Sequence, residues 1–237
     1  MKQFTPRLEI LPPAQRELWP LLAPIQRFGY VLYGGTAIAL RLAHRYSVDF
    51  DFFTSQSVNP EELRKHLPFL RESTPIQEHQ NTFEVATFSG VKVSFFGGLD
   101  FGRVGTPDQT SDGVTVVASL DDLMATKLKV ILQRSELKDY QDIAAMSRAG
   151  VRVDAGLAAA EEMFRPTFSP LHSLKALVYF DDGDLSRLSA EDRKTLVTVA
   201  QQVRSLPPIK RTLRLDAMPE VRQPIQEPKT SGPEMEF

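Results

Sequence analysis

Two adjacent stretches decide the fold of this chain: LYGGTAIAL at residues 32–40 and RYSVDFDFF at residues 45–53. The aromatic and β-branched run FGYVLY, followed by two glycines, predicts a buried strand that ends in a tight turn. Thr36 can cap a helix, and the run AIALRLAH that follows it is rich in helix formers. The alternation VDFDFF has period two, so it predicts a second strand. The predicted order is strand, glycine turn, helix and strand.

The chemistry of this pattern lies in its two glycines and two aspartates. Asp49 and Asp51 are two residues apart on a predicted strand, so both side chains leave the same face. Two close carboxylates repel each other unless a cation lies between them, and Mg²⁺ accepts such ligands while keeping coordination sites for phosphate. Gly34 and Gly35 let backbone N–H groups approach a phosphate, with a helix N-terminus behind them. Either motif alone is more often structural, but together they meet the two requirements of nucleotidyl transfer.

Composition limits the classes of protein that remain. The chain has 237 residues, of which 42% are hydrophobic and 24% charged, and this excludes wholesale disorder. Its formal net charge is −2, so contact with nucleic acid would need a local basic patch. Without cysteine there is no disulfide, thiolate metal site or cysteine nucleophile. No apolar run reaches the about 18 residues of a membrane helix, and the N-terminus lacks a signal-peptide core, so we expect a cytoplasmic protein with no membrane partner.

The predicted elements divide the chain into three parts. Residues 1–117 carry the strand–helix–strand pattern and a β-hairpin formed by TFEVATF and VKVSFF, which predicts an α+β fold with a mixed sheet flanked by helices. At Ser119 an N-cap pattern begins a series of helices, so residues 118–206 are expected to form a helical domain. Residues 207–237 contain six prolines and no periodicity, which predicts a mobile tail.

A second cluster of charged residues lies in the helical part. Lys127 and Arg134 are seven residues apart and near one face of a helix, a spacing that suits two cations gripping a phosphate. A structural interpretation is also open, with Lys127 on a solvated helix face and Arg134 as a clamp paired with Asp139 or Asp142.

Together these residues resemble the nucleotidyltransferase superfamily of the DNA polymerase β type, and more narrowly the AbiEii family of nucleotidyltransferase toxins. The resemblance spans residues 28–146 and lies in GGT at 34–36, RxSxDxD at 45–51, and the helical block that ends in KDYQD at 138–142. It implies a groove between the two halves that binds an NTP, with Asp49 and Asp51 as catalytic ligands of Mg²⁺ or Mn²⁺. The nucleotide-binding residues that it implies are Gly34, Gly35, Thr36, Arg45, Ser47, Lys127, Arg134, Asp139 and Asp142.

The same resemblance implies an activity and partners. The protein would transfer NMP from an NTP to an acceptor, an RNA end such as that of tRNA, as the toxin of a bacterial toxin–antitoxin or abortive-infection pair with a cognate antitoxin. The RNA acceptor comes from the family alone, because the sequence shows no RNA-binding motif. Nucleotidylation of a small molecule such as an aminoglycoside would share the site, but it would need an acidic pocket for the cationic acceptor.

One departure from the superfamily concerns a third carboxylate, which commonly lies on the strand after the hairpin turn. Here that strand reads VKVSFF, with Lys92 and Ser94 where an acid is expected. Glu84 on the partner strand is either a substitute or an ordinary strand charge, and His44 is near enough in sequence to line the site. The alternative to an enzyme is therefore a non-catalytic nucleotide-binding module with the same fold.

Overall fold

The computed structural model describes residues 1–216 and has the α+β architecture that the sequence predicts. Its eight strands are Gln3–Phe4 (β1), Val31–Tyr33 (β2), Asp49–Phe53 (β3), Thr74–His79 (β4), Thr82–Ala86 (β5), Lys92–Phe96 (β6), Asp108–Thr110 (β7) and Val116–Val117 (β8). They form one mixed sheet in the order β1-β7-β8-β2-β3-β6-β5-β4.

Helices cover the sheet and make up the second half of the described chain. They are Pro13–Leu18 (α1), Gly34–Leu42 (α2), Pro60–His66 (α3), Leu120–Val130 (α4), Leu137–Arg148 (α5), Val153–Phe164 (α6), Pro170–Leu177 (α7) and Ala190–Gln202 (α8). α4 packs on α6 and α5 packs on α8, while α2 contacts both α4 and α5. The helix that follows the glycine turn therefore joins the sheet to the helical half. Among residues 1–216, no helix has both the length and the apolar character needed to cross a membrane.

The central strand β3 is built on the predicted alternation. It is antiparallel to β2 and parallel to β6, and β6 is in turn antiparallel to β5, which confirms the hairpin. Phe50 and Phe52 are fully buried in the core, whereas Asp49, Asp51 and Phe53 lie on the opposite, partly exposed face. Burial of the two rings stabilises the strand and leaves its polar face free for chemistry.

The helix starts agree only in part with the sequence patterns. The hydroxyl of Ser119 caps α4 by accepting a hydrogen bond from the backbone N–H of Asp122 at 3.1 Å, as predicted. The prediction that Thr36 caps a helix is wrong, because α2 begins at Gly34. The Thr36 hydroxyl is buried and donates to the backbone carbonyl of Asp49 at 2.5 Å. Thr36 therefore ties α2 to β3.

The run VTVVA at residues 114–118 predicts a short strand, and β8 lies there, but β1, β4 and β7 are absent from the sequence predictions. The sequence of β4, TPIQEH, shows no alternation of apolar and polar residues, and every residue of this strand is exposed. β1 has two residues, and the three residues of β7 read DQT. β4 pairs with β5, and β7 pairs with β1 and β8. These segments are strands because of their partners rather than their own propensity.

The segment after α8 returns to the sheet. Arg103 and Thr212 exchange backbone hydrogen bonds of 2.8 and 2.7 Å, and Leu215 is fully buried with its N–H donating to the hydroxyl of Ser55. These contacts disagree with a mobile tail beginning at residue 207. The remainder of the predicted tail, residues 217–237, lies outside the described residues. The division into domains at 117/118 stays a prediction.

Candidate active site

A cleft of about 420 Å³ lies between the polar face of β3 and the helical half, a volume within the range of small-molecule sites. The glycine turn and β3 form its floor, and α4 with the start of α5 forms the facing wall. Of the residues predicted from the sequence, those that line the cleft are Gly34, Gly35, Arg45, Ser47, Asp49, Asp51, Lys127 and Arg134. The predicted residues Thr36, Asp139 and Asp142 do not line it.

The two glycines make room for neighbouring side chains. Gly34 has a φ of +75°, which favours glycine, and a Cβ there would lie 2.5 Å from Oδ2 of Asp51. A Cβ on Gly35 would overlap the guanidinium of Arg45 and lie 3.0 Å from Oγ of Ser47. Both glycines are therefore required for the packing of predicted site residues, in addition to any approach of the backbone to a phosphate.

The acid pair on the cleft floor is under electrostatic strain. Burial raises the pKa of Asp51, the negative charge of Asp49 raises it further, and the ammonium groups of Lys92 and Lys127 oppose the shift. Within residues 1–216, no group of three or more histidine, cysteine or acidic side chains is placed to hold a metal ion. The pair itself fits Mg²⁺, because such an ion commonly takes one or two protein carboxylates and completes its shell with water and phosphate oxygens. A cation between the two carboxylates would also relieve their repulsion.

At the cleft wall, Lys127 lies between two buried carboxylates. Its Nζ is 2.6 Å from Oδ1 of Asp139 and 2.7 Å from Oδ2 of Asp142, and both aspartates have no solvent exposure. Burial alone would lower the pKa of Lys127, but the two carboxylates outweigh it and raise this pKa above its usual value. Arg134 also binds Asp139, with Nε donating to Oδ2 at 2.8 Å. The clamp interpretation of Arg134 thus has a geometric basis, although Arg134 also lines the cleft.

Asp142 connects this network to the loop before β3. It accepts hydrogen bonds from Nε and Nη2 of Arg45 at 2.7 and 2.9 Å, and Nε2 of His44 lies 2.7 Å from its Oδ1. Burial would raise the pKa of Asp142, but Lys127, His44 and Arg45 together hold this pKa well below its usual range. Asp142 and Asp139 were predicted to bind nucleotide. Because they are fully buried and bonded to cations, the structure instead places them as supports for the residues that face the cleft.

Comparison with known proteins agrees with this geometry. A family model described as nucleotidyl transferase AbiEii toxin, type IV toxin–antitoxin system, matches residues 23–197, which is more than half of the chain. The chain belongs to the AbiEii nucleotidyltransferase toxin family. Membership confirms the resemblance seen in the sequence, supports nucleotidyl transfer and a toxin role in general terms, and implies a nucleotide substrate and an antitoxin partner. Nucleotidyltransferases generally use divalent metal ions.

Two further proteins are similar to this AbiEii-family protein, one in sequence and one in fold. An uncharacterized protein of Aquifex aeolicus is 27% identical over 159 residues, which cover 65% of this chain and 75% of that protein. The crystal structure of an antigenic nucleotidyltransferase-like protein from Paracoccidioides brasiliensis superposes with a TM-score of 0.50 at 16% identity. This match covers 83% of the present chain and 94% of the other, and it concerns the fold alone.

Ser94 lies on the strand where the sequence analysis expects a third acid, and its place as the missing acid stays a prediction. In the register of the sheet, Asp51 lies beside Ser94 of β6, and Ser94 lies beside Glu84 of β5. The Ser94 hydroxyl is buried and has no hydrogen-bond partner within residues 1–216. Glu84 contributes to the raised pKa of Asp51, but it forms an ion pair with Lys92 at 3.5 Å and does not line the cleft. Whether Glu84 replaces the third acid stays an open prediction.

The cleft also contains residues that the sequence analysis does not predict to bind nucleotide or metal: Tyr46, Val48, Phe53, Lys92, Phe96, Thr126, Val130, Gln133 and Lys138. Two signals in the sequence would have found one residue each. Phe53 continues the period-two face of Asp49 and Asp51, and Val130 follows Lys127 by three residues on α4. The sequence predicts that His44 could line the site, but His44 does not line the cleft, and its ring instead contacts Asp142.

Proposed function

We propose that this protein is a Mg²⁺- or Mn²⁺-dependent nucleotidyltransferase that moves NMP from an NTP to an RNA end, with tRNA as the acceptor. It would act in the cytoplasm as the toxin of a toxin–antitoxin or abortive-infection system, opposed by a cognate antitoxin. The observation that carries the proposal is the meeting of Asp49 and Asp51 with the glycine turn and with Lys127 in one cleft.

The residues of the cleft divide the chemistry among them. Asp49 and Asp51 would hold the divalent metal ion, which supplies charge neutralisation when bound. Arg45, Lys127 and the Ser47 hydroxyl face the triphosphate. An acceptor hydroxyl oxygen forms a bond to the α-phosphorus, the bond to the bridging oxygen breaks, and pyrophosphate leaves while the acceptor proton passes to a base or to water. The cations of the cleft hold the polyphosphate and stabilise the negative charge that moves onto the leaving group.

A second candidate function is a nucleotide-binding module without turnover. The observation that favours it is Ser94, which lies beside Asp51 where a third carboxylate is expected. Such a module would keep the contacts to the triphosphate, because Arg45 and Lys127 do not depend on that acid.

Labelled NTPs separate the two candidates. The wild-type protein, incubated with each α-labelled NTP, Mg²⁺ and total RNA, should label an RNA, and EDTA should stop the reaction. Asp49→Asn and Asp51→Asn should each reduce transfer at least about 100-fold, because metal stabilisation of the transition state is worth several kcal/mol. Asp100→Asn, which changes an exposed acid outside the cleft, is the matched control and should transfer at the wild-type rate.

Two results would decide against the enzyme. Transfer at the wild-type rate by both aspartate variants would show that the acid pair is not the metal site. Binding of NTP by the wild-type protein without transfer to any RNA or protein would favour the module. The toxin role has its own readout, since expression of the wild-type chain should arrest bacterial growth and expression of Asp51→Asn should not.

A further inference from the structure

An exposed aromatic side chain stands on the cleft wall between two predicted phosphate contacts. Tyr46 lies between Arg45 and Ser47 in the sequence, and all three line the cleft. The side chain of Tyr46 is 68% exposed, and its neighbour Val48, which also lines the cleft, is 59% exposed. An apolar surface of this kind inside a concave polar site is typical of ligand recognition rather than of folding.

The backbone that carries Tyr46 is held in place by the ion network. Nη1 of Arg45 donates to the carbonyl oxygen of Tyr46 at 2.8 Å, and Nε of the same arginine donates to the buried Asp142 at 2.7 Å. The loop begins at Ala43, whose φ of 50° ends α2. The ring of Tyr46 is therefore presented to the cleft from a fixed backbone, which reduces the entropy lost when a ligand binds to it.

The other aromatic side chains of the cleft are already engaged. The ring of Phe53 is stacked on that of Tyr33 with centroids 4.7 Å apart. The ring of Phe96 contacts the Phe53 ring edge-on, with centroids 5.3 Å apart. In contrast, no aromatic pair within residues 1–216 includes Tyr46. Its faces remain available to a flat ligand.

We propose that Tyr46 stacks on the base of the bound NTP, and that Tyr46 and Val48 form one side of a base subsite. Its other side is formed by Val130 at the end of α4 and by Gln133 just after that helix. The proposal rests on the proposed function, because a triphosphate held by Arg45 and Ser47 brings its nucleoside next to the residue between them. Every base has an aromatic face, so such a platform tolerates all four bases and supplies affinity rather than hydrogen-bonded selection.

Calorimetry with two probes tests the subsite. In the presence of Mg²⁺ and without acceptor, Tyr46→Ala should weaken binding of NTPs by about 5-fold to 150-fold, the range found when an aromatic platform for one base is removed. The same variant should bind inorganic triphosphate as the wild-type protein does, because that probe has no base. Tyr46→Phe keeps the ring and should bind NTPs normally. Tyr179→Ala removes a tyrosine of similar exposure, 51%, outside the cleft and is the matched control.

Three results would overturn the inference. Unchanged NTP affinity of Tyr46→Ala would show that the ring does not contact the nucleotide, and a raised KM for RNA in that variant would assign the ring to the acceptor. An equal loss of affinity for NTP and inorganic triphosphate would show that the residue acts through the loop of Arg45. If the wild-type protein bound neither probe, the proposed function would fail together with the inference. If only the base subsite is wrong, the wild-type protein still binds both probes, so the two failures are distinguishable.

Discussion

Lys127 offers the sharpest test of the ion network, because its removal leaves two carboxylates without their shared partner. The perturbation is Lys127→Met, which keeps most of the apolar stem and removes the ammonium group. In the wild-type protein that group lies 2.6 and 2.7 Å from carboxylate oxygens of Asp139 and Asp142. The lysine itself is only 6% exposed, so water cannot replace the lost contacts without local opening.

The expected loss of stability follows from this burial. Removing one partner of a buried ion pair costs about 3–5 kcal/mol, since it leaves an uncompensated charge. Here Arg134 still binds Asp139 and Arg45 still binds Asp142, so we expect a value near the lower limit. A loss of about 3 kcal/mol corresponds to a decrease in Tm of about 6–12 °C for a chain of this size.

Urea denaturation followed by circular dichroism measures the effect. Lys129→Met, on the same helix but with a partly exposed side chain that contacts Thr167, is the matched control and should stay within about 0.5 kcal/mol of wild type. In a double-mutant cycle, Lys127→Met and Asp139→Asn should be less damaging together than the sum of the single effects. A loss below about 1 kcal/mol for Lys127→Met would refute the network, because such a value is typical of an exposed pair.

Three other perturbations have defined outcomes. Asp51→Asn should raise Tm in EDTA, because burial and the neighbouring carboxylate of Asp49 disfavour the charged form of Asp51. A lower Tm would show that the charge of Asp51 does not destabilise the metal-free protein. Gly34→Ala should lose about 1–2 kcal/mol of stability and most transfer activity, whereas Gly113→Ala, at a similar φ of +73° with open space around it, should lose stability alone. Acid should destabilise the protein: the pKa values of Asp139 and Asp142 are lowered in the folded state, so their stabilisation is present above the ordinary carboxyl pKa and is lost as the pH falls below about 4. Urea midpoints between pH 7 and pH 3 measure that loss, and Lys127→Met should make the pH dependence shallower.

The sequence predicts those parts of the site that depend on local periodicity. The alternation in β3 places Asp49 and Asp51 on one face and buries Phe50, because a period of two residues determines the direction of each side chain. The glycine turn is equally local, since the φ of Gly34 is a property of one residue. The role of Thr36 is different, because its hydroxyl meets a carbonyl of β3 that only the packing of α2 on the sheet brings near.

The burial of Asp139 and Asp142 could not be predicted from their spacing. Residues three apart lie on the same face of α5, but spacing does not tell which face of a helix meets the cleft and which meets a neighbouring helix. That choice depends on the contacts of α5 with α2 and α4. One partner of Asp142, Arg45 in the loop after α2, lies 97 positions away along the chain. The charged residues of the motif predict a nucleotide site, and in the structure two of its acids pair with Lys127 and do not line the cleft.

The charges of the network explain why these supports are acidic. Arg45, Lys127, Arg134 and Lys138 carry four positive charges, and Asp139, Asp142 and Glu136 carry three negative charges, so the cluster keeps one positive charge in excess. Without the carboxylates, the cations gathered at one wall would repel each other and move apart. With full compensation, the wall would no longer attract a polyphosphate. The partial compensation holds Arg45 of the sheet half and Lys127 of the helical half in a fixed geometry while leaving the positive field that an anionic nucleotide requires.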